Sequence, residues 1–179
     1  MNLKGLISES RIIHTDKIIN AAIINIAKKC NSELANQDVT ILPVMKGALI
    51  FSGHLIPMLN FHCEIDYVHT SRYLNNKGQQ TVTWIYKPNL NSIKGKTVLV
   101  IDDILDEGIT LNDIKKKLVR WGAKKVLIAV LFDKKLKITK PIEADFKGLE
   151  VPDVYVYGFG LDFNGIGRNI PHLYAYKTK

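Results

Sequence analysis

Apolar and polar residues alternate along this chain with two different periods, and the periods divide it into short elements. TDKIINAAIINIAKK (15–29) places Ile18, Ile19, Ala22, Ile23, Ile26 and Ala27 at helical spacing, with Thr15 where a helix cap belongs. VTILPV (39–44) is a near-continuous apolar run and predicts a buried strand. ALIFSGHLIPML (48–59) predicts a helix bent or ended near Pro57. CEIDYVHT (63–70) and TVTWIY (81–86) predict strands, and the polar, glycine-bearing SRYLNNKGQQ between them predicts a mobile loop. TVLVI (97–101) and KVLIAVLF (125–132) are two further apolar strands. LNDIKKKLVRW (111–121) lies between them as a helix that turns Leu111, Ile114, Leu118 and Trp121 inward and stops at Gly122.

Strands that are apolar on both faces and alternate with helices predict an α/β fold whose parallel sheet is covered on both sides. The last forty or so residues leave this rhythm, and VYVYGFGLDF and LYAYK predict a small β-rich lobe. No repeat, low-complexity tract or Pro/Ser linker divides the chain, so its 179 residues are expected to form a single domain.

Composition adds little beyond this. Hydrophobic residues at 46% and charged residues at 23% give a globular balance. No apolar run approaches the roughly 18–20 residues of a membrane span, and MNLKGLISESRIIH has no signal-peptide pattern. Cys30 and Cys63 read as free thiols, which predicts a reducing, cytoplasmic setting. The net charge of +8 calls for an anionic partner. The lysines are scattered (Lys28 and Lys29, Lys115 to Lys117, Lys124 and Lys125, Lys134 and Lys135) and form no single arm. A small phosphorylated ligand is therefore favoured over nucleic acid.

The chemistry concentrates in VLVIDDILDEGITL (98–111). Asp102, Asp103 and Asp106 stand where an apolar strand ends, and ligands of open α/β sheets sit beyond such ends. The turn that follows, Asp106, Glu107, Gly108, Ile109 and Thr110, runs into a helix N-terminus, where free N–H groups favour an anion. Gly108 lets the backbone approach a phosphate, and Thr110 adds a hydroxyl. The carboxylates suit sugar hydroxyls or a divalent cation, which takes oxygen ligands. A sugar phosphate satisfies both halves. An acidic strand end followed by a capped helix is the plainer alternative for the same residues. His14, His54, His62, His69 and His172 show no metal-ligand spacing and are assigned to core or surface.

VLVIDDILDEGITL resembles the phosphoribosyl-diphosphate (PRPP) motif of the type I phosphoribosyltransferases. ILPVMKGALIF (41–51) resembles their pyrophosphate loop. VPDVYVYGFGLDFNGIGRN (151–169) resembles the purine-recognising end of the enzymes acting on 6-oxopurines. With LFDKK (131–135), the resemblance runs from about residue 40 to 172. It implies the type I phosphoribosyltransferase fold in one domain over 1–179. The parallel-sheet core would span about 12–140, flanked by helices. A small β-rich hood lobe would span about 141–179, joined by the N-terminal segment.

The resemblance further implies purine salvage: transfer of the 5-phosphoribosyl group of PRPP to hypoxanthine or guanine, giving IMP or GMP and pyrophosphate, with Mg²⁺ as cofactor. Asp102 and Asp103 would bind the ribose hydroxyls, partly through Mg²⁺. Asp106 would be the general acid/base near purine N7, and residues 106–110 would hold the 5′-phosphate. Lys46, Gly47 and Arg168 would meet the pyrophosphate, and the Met45–Lys46 peptide matches a bond that can be cis in the family. Lys134 would donate to the 6-oxo group, Tyr155 would stack on the ring and the Val156 backbone would read its edge. Asp162 would lie near a second Mg²⁺ and the purine two-position. Ser71 and Tyr73 match the serine–tyrosine pair of a lid, with Arg72 between them. A homo-oligomer, dimer or tetramer, is expected.

Two residues depart from the family pattern: Ala48 where many relatives have glycine, and Glu107 where many have threonine or serine. A carboxylate repels phosphate, so the Glu107 side chain is expected to face solvent while its N–H faces the ligand. Two alternatives stay open, a xanthine-preferring enzyme and a regulator of this fold that binds nucleic acid. Asp106, Lys134, Asp162 and Arg168 occurring together argue against the regulator.

Overall fold

The computed structural model describes residues 2–74 and 80–177. Along the chain come α1 (Leu3–Ser8), β1 (Ser10–His14), α2 (Asp16–Leu34), β2 (Val39–Met45) and α3 (Leu49–Leu55). Next are β3 (Cys63–Ile65), β4 (Val68–Leu74), β5 (Gln80–Tyr86), β6 (Thr97–Leu105) and α4 (Ile109–Arg120). The chain closes with β7 (Lys125–Lys134), β8 (Phe146–Val151), β9 (Val156–Tyr157) and β10 (Leu173–Tyr176). Among the described residues no helix is long and apolar enough to cross a membrane.

The main sheet has the order β5-β4-β2-β6-β7-β8, with β3 also paired to β2. The pairings of β2 with β3, β4 and β6, of β6 with β7 and of β7 with β8 are parallel, and β5 runs antiparallel to β4 at one edge. A parallel sheet must be covered on both faces, and the strand residues alternate to suit. Ile41, Leu99, Ile101, Leu127, Ala129 and Leu131 pack with Ile19, Ile23 and Ile26 of α2 and Phe51 and Leu55 of α3. The intervening Leu42, Val98, Val100, Val126, Ile128 and Val130 pack with Leu111, Ile114 and Leu118 of α4. A second, antiparallel sheet in the order β1-β10-β9 closes over Leu6, Tyr157 and Ile170.

Several elements differ from the sequence expectation, each for a local reason. The segment 63–70 is two strands because Asp66 interrupts it. Its carboxylate accepts from the N–H groups of Tyr67 and Asn89, both at 2.8 Å. Ser71 to Leu74 and Gln80 are strand rather than loop: the ladder continues through Ser71↔Thr83, Tyr73↔Thr81 and Leu74↔Gln80. The remainder of the predicted loop, 75–79, lies outside the described residues, and nothing of the Tyr73 side chain is described. The predicted helix 48–59 is α-helical only over Leu49–Leu55 and tightens to a 3₁₀ turn at Ile56–Met58, where Pro57 lacks an N–H. Helix α2 runs on to Leu34, and the Thr15 side chain makes no capping bond. Strand β8 pairs with β7, so the main sheet reaches Val151, past the border expected near residue 141.

The consequential difference is β6. Its apolar run ends at Ile101, yet pairing with β7 continues through Asp102↔Val130, Ile104↔Phe132 and Leu105↔Asp133. Asp102 and Asp103 are therefore strand residues inside the sheet's carboxyl edge, not residues beyond it.

Candidate active site

The carboxyl ends of β2, β6 and β7 converge beneath the loop that joins β9 to β10. At the end of β6, Asp102 and Asp103 are each only 9% exposed. The N–H of Asp103 donates to Asp102 Oδ1 at 3.0 Å. Burial pushes the Asp102 carboxyl well above its ordinary value, and the neighbouring Asp103 adds to the effect. Burial also raises Asp103, opposed by hydrogen bonds from its surroundings and by the Arg168 guanidinium. Two desolvated carboxylates side by side are an arrangement that gains from a bound cation or sugar hydroxyls.

Just beyond β6 the chain turns through Gly108, whose φ of 81° lies in the left-handed region that glycine enters without strain. Helix α4 therefore begins at Ile109 rather than Leu111, and its free N–H groups face the turn. Asp102, Asp103, Asp106, Glu107, Gly108, Ile109 and Thr110 line a cavity of about 210 Å³ there. Glu107 is half-buried.

From β2 comes the turn with Lys46 and Gly47. The Met45–Lys46 peptide is cis, as the resemblance implied. Lys46, Gly47, Asp102, Asp103, Thr110, Asp162 and Arg168 line one cavity of about 500 Å³. His69 and Thr70, which the motifs do not include, line it too. Both were missed because only the register Met45↔His69 brings β4 alongside the turn, and no local motif announces that. Ser71 is half-buried on the same strand. A cavity of about 600 Å³ near Asp38 and His62 lies by the amino ends of β2 and β3, away from these groups.

The loop after β9 supplies the opposite wall. Arg168 donates to the Gly160 carbonyl at 2.6 Å and forms an ion pair with Asp162. The second oxygen of Asp162 accepts from Gly165 N–H at 2.7 Å. Gly160 is close-packed: a Cβ there would fall 2.4 Å from the Gly47 carbonyl, so this loop rests directly on the turn that carries Lys46.

A third cavity, of about 250 Å³, adjoins the others through Asp103, Asp106 and Asp162. Lys134, Tyr155, Val156, Ile104 and Leu161 complete its wall. Lys134 Nζ lies 3.0 Å from Asp106 Oδ2. Tyr155 is 48% exposed, packs edge-on against Phe163 and donates its hydroxyl to the Asp162 carbonyl at 3.2 Å. This space brings together an aromatic ring, a lysine and three carboxylates. Among the described residues no three His, Cys, Asp or Glu side chains are grouped as a metal site. The three residues expected to hold metal, Asp102, Asp103 and Asp162, therefore line one cavity without forming a ligand set of their own. A hard cation here would take its remaining oxygens from substrate and water, the usual manner for Mg²⁺.

Comparison with known proteins agrees with this geometry. A family model described as a phosphoribosyl transferase domain matches residues 10–164. The chain is 31% identical over 163 residues to a hypoxanthine-guanine phosphoribosyltransferase of Bacillus subtilis, covering 91% of each chain. Its structure superposes on a hypoxanthine phosphoribosyltransferase of Staphylococcus aureus with a TM-score of 0.89 at 28% identity, covering 99% of this chain and 96% of that one. The hypoxanthine phosphoribosyltransferase of Trypanosoma cruzi, solved with the product IMP, gives 0.83 at 25% identity over 94% of each.

Proposed function

This chain belongs to the phosphoribosyl transferase family, and from that premise we propose that it transfers the 5-phosphoribosyl group of PRPP to hypoxanthine or guanine, yielding IMP or GMP and pyrophosphate. The observation that carries the reading is the pairing of Lys134 with Asp106 at 3.0 Å, in a ring-sized space continuous with the buried Asp102–Asp103 pair.

In this reading the N–H groups of the Gly108 turn and the Thr110 hydroxyl hold the 5′-phosphate at the N-terminus of α4. Asp102 and Asp103 accept from the ribose hydroxyls. They would also hold Mg²⁺, with Asp162 beside a second ion; bound Mg²⁺ neutralises charge on the diphosphate. Lys46, the Gly47 amide and Arg168 meet the leaving pyrophosphate, where a guanidinium fork suits paired oxygens. As the C1′–N9 bond forms and the C1′–O bond to pyrophosphate breaks, Asp106 takes the proton from N7 of the purine. Lys134 then donates to the 6-oxo group and steadies the Asp106 carboxylate. Lysine carries donors only, so the 6-amino group of adenine meets a donor and is rejected. Most of the rate comes from holding two reactants in line and from charge placed where it develops.

The reading includes a homo-oligomer, with Ser71 and Tyr73 on a lid over the site. It also includes a cytoplasmic location, where the free thiols of Cys30 and Cys63 are stable. Mixing the protein with PRPP, Mg²⁺ and each purine in turn, and following nucleotide absorbance, tests it. Turnover with hypoxanthine or guanine is expected; turnover with xanthine alone would reassign the base, and none with any purine would reject the function.

A further inference from the structure

The segment between β7 and β8 reads as a polar, lysine-rich loop, yet one of its residues reaches the underside of the site. Lys140 has a side chain only 14% exposed. Its ammonium donates to the Leu105 carbonyl at 2.7 Å and to Asp133 Oδ1 at 2.7 Å. Leu105 and Asp133 are register partners at the ends of β6 and β7. The residue that follows each in the chain is a member of the site: Asp106, in the turn after β6, and Lys134, the last residue of β7. On β7 successive side chains point to opposite faces, so Asp133 meets Lys140 on the face away from the one Lys134 takes toward Asp106. Lys140 and Lys134 thus each join the end of β7 to the end of β6 or to the turn just after it.

The residues after Lys140 extend this support. A Cβ on Gly108 would fall 3.0 Å from Ile142 Cγ2 and 3.5 Å from Pro141 Cδ, so the segment underlies the phosphate turn as well. Asp133 is 5% exposed, and its other oxygen is approached by Lys147 at 3.7 Å and Lys135 at 3.9 Å. Those two lysines are 38% and 55% exposed, so water screens them more than Lys140. Lys140 alone among the three also holds the Leu105 carbonyl. On the transfer reading above, we propose that Lys140 is a positioning residue: it ties β6 to β7 and thereby fixes Asp106 against Lys134 and seats the Gly108 turn.

Steady-state kinetics with PRPP and the preferred purine, together with melting temperature, test this on Lys140→Met, Lys140→Arg and the double variant Asp133→Asn/Lys140→Met. A misplacement of about an ångström costs up to about 100-fold in rate. Lys140→Met is therefore expected to lower kcat by about 10- to 100-fold and to raise the PRPP KM. Lys140→Arg, which keeps charged donors, recovers most of the turnover. The double variant removes the buried carboxylate that Lys140→Met leaves to the more exposed Lys147 and Lys135, and regains the wild-type melting temperature, but not kcat, because the Leu105 carbonyl still has no donor. The double variant also decides the matter if Lys140→Met fails to fold. Wild-type kcat and PRPP KM in a folded Lys140→Met, or a double variant restored in both stability and turnover, would overturn the proposal. Wild-type turnover in the same assay separates either result from a failure of the underlying enzymatic reading.

Discussion

Gly47, in the turn after β2, and Asp103, on β6, meet without room for a single methyl group between them. A Cβ on Gly47 would fall 2.0 Å from Asp103 Oδ2 and 2.6 Å from its Cγ. The obstructed atoms belong to a short side chain, so the fold can yield by turning the carboxylate aside. Gly47→Ala is therefore expected to keep its circular dichroism while losing about 100-fold in kcat/KM for PRPP, since the displaced group is one we propose to grip the sugar. Wild-type kinetics in a folded variant would show that Asp103 does not have to stand where it does.

The buried acid pair ties activity to a cost in stability. The folded-state pKa of Asp102 is raised above its ordinary 3.8, chiefly by burial. The folded protein thus holds that proton more tightly than the unfolded chain does. Its stabilising share is complete below about 3.8 and is lost as pH rises through the folded-state value. Asp102→Asn is neutral at every pH. In the absence of Mg²⁺ and PRPP, the variant's melting temperature is expected to match that of the wild type in acid and to exceed it increasingly toward neutrality, while its turnover is lost. A difference that is constant with pH, or a variant less stable at neutral pH, would contradict the assignment of burial as the cause.

Which parts of this site the sequence disclosed follows from where its pattern was local. The apolar strands β2, β6 and β7 and the inward stripe Leu111, Ile114 and Leu118 of α4 are legible because both faces of the sheet are covered. The turn at Gly108 is legible because a glycine after acids and before a helix has a specific conformational use. The end of β6 was not legible: Asp102 and Asp103 break the apolar run at Ile101 because they serve a cavity, while the backbone ladder to β7 continues regardless. His69 and Thr70 reach the site through register with β2, and Lys140 through a bridge to two strand ends. Neither relation leaves a trace in spacing along the chain. Asp66 splits a predicted strand by hydrogen bonds to Tyr67 and to Asn89, the latter 23 residues away.

Base choice is predicted to rest on Lys134. Replacing it with methionine removes the donor for the 6-oxo group and leaves Asp106 without its 3.0 Å partner. An unmatched buried polar group costs about 1–3 kcal/mol, or about 5- to 150-fold. The kcat/KM for hypoxanthine or guanine should fall by an amount in that range, and the preference over adenine should narrow. Unchanged selectivity between 6-oxo and 6-amino purines would remove Lys134 from base recognition.

The two thiols should separate cleanly under alkylation. Burial pushes the Cys30 thiol up to about 12, whereas Cys63, half-buried, is raised less. Because the thiolate is the reactive form, one equivalent of label is expected at Cys63 near neutral pH, with Cys30 reacting only on unfolding. Mass spectrometry of the intact and digested protein reads this directly. Early labelling of Cys30 would contradict its place on the inward face of α2.

Phosphorus-31 NMR of the protein with PRPP, Mg²⁺ and either hypoxanthine or guanine follows both products of the proposed transfer at once. PRPP is expected to persist without a base and, with one, pyrophosphate and a purine nucleoside monophosphate are expected to grow in equal amounts as PRPP disappears. PRPP left intact with both bases, or pyrophosphate released without nucleotide, would contradict the proposed transfer.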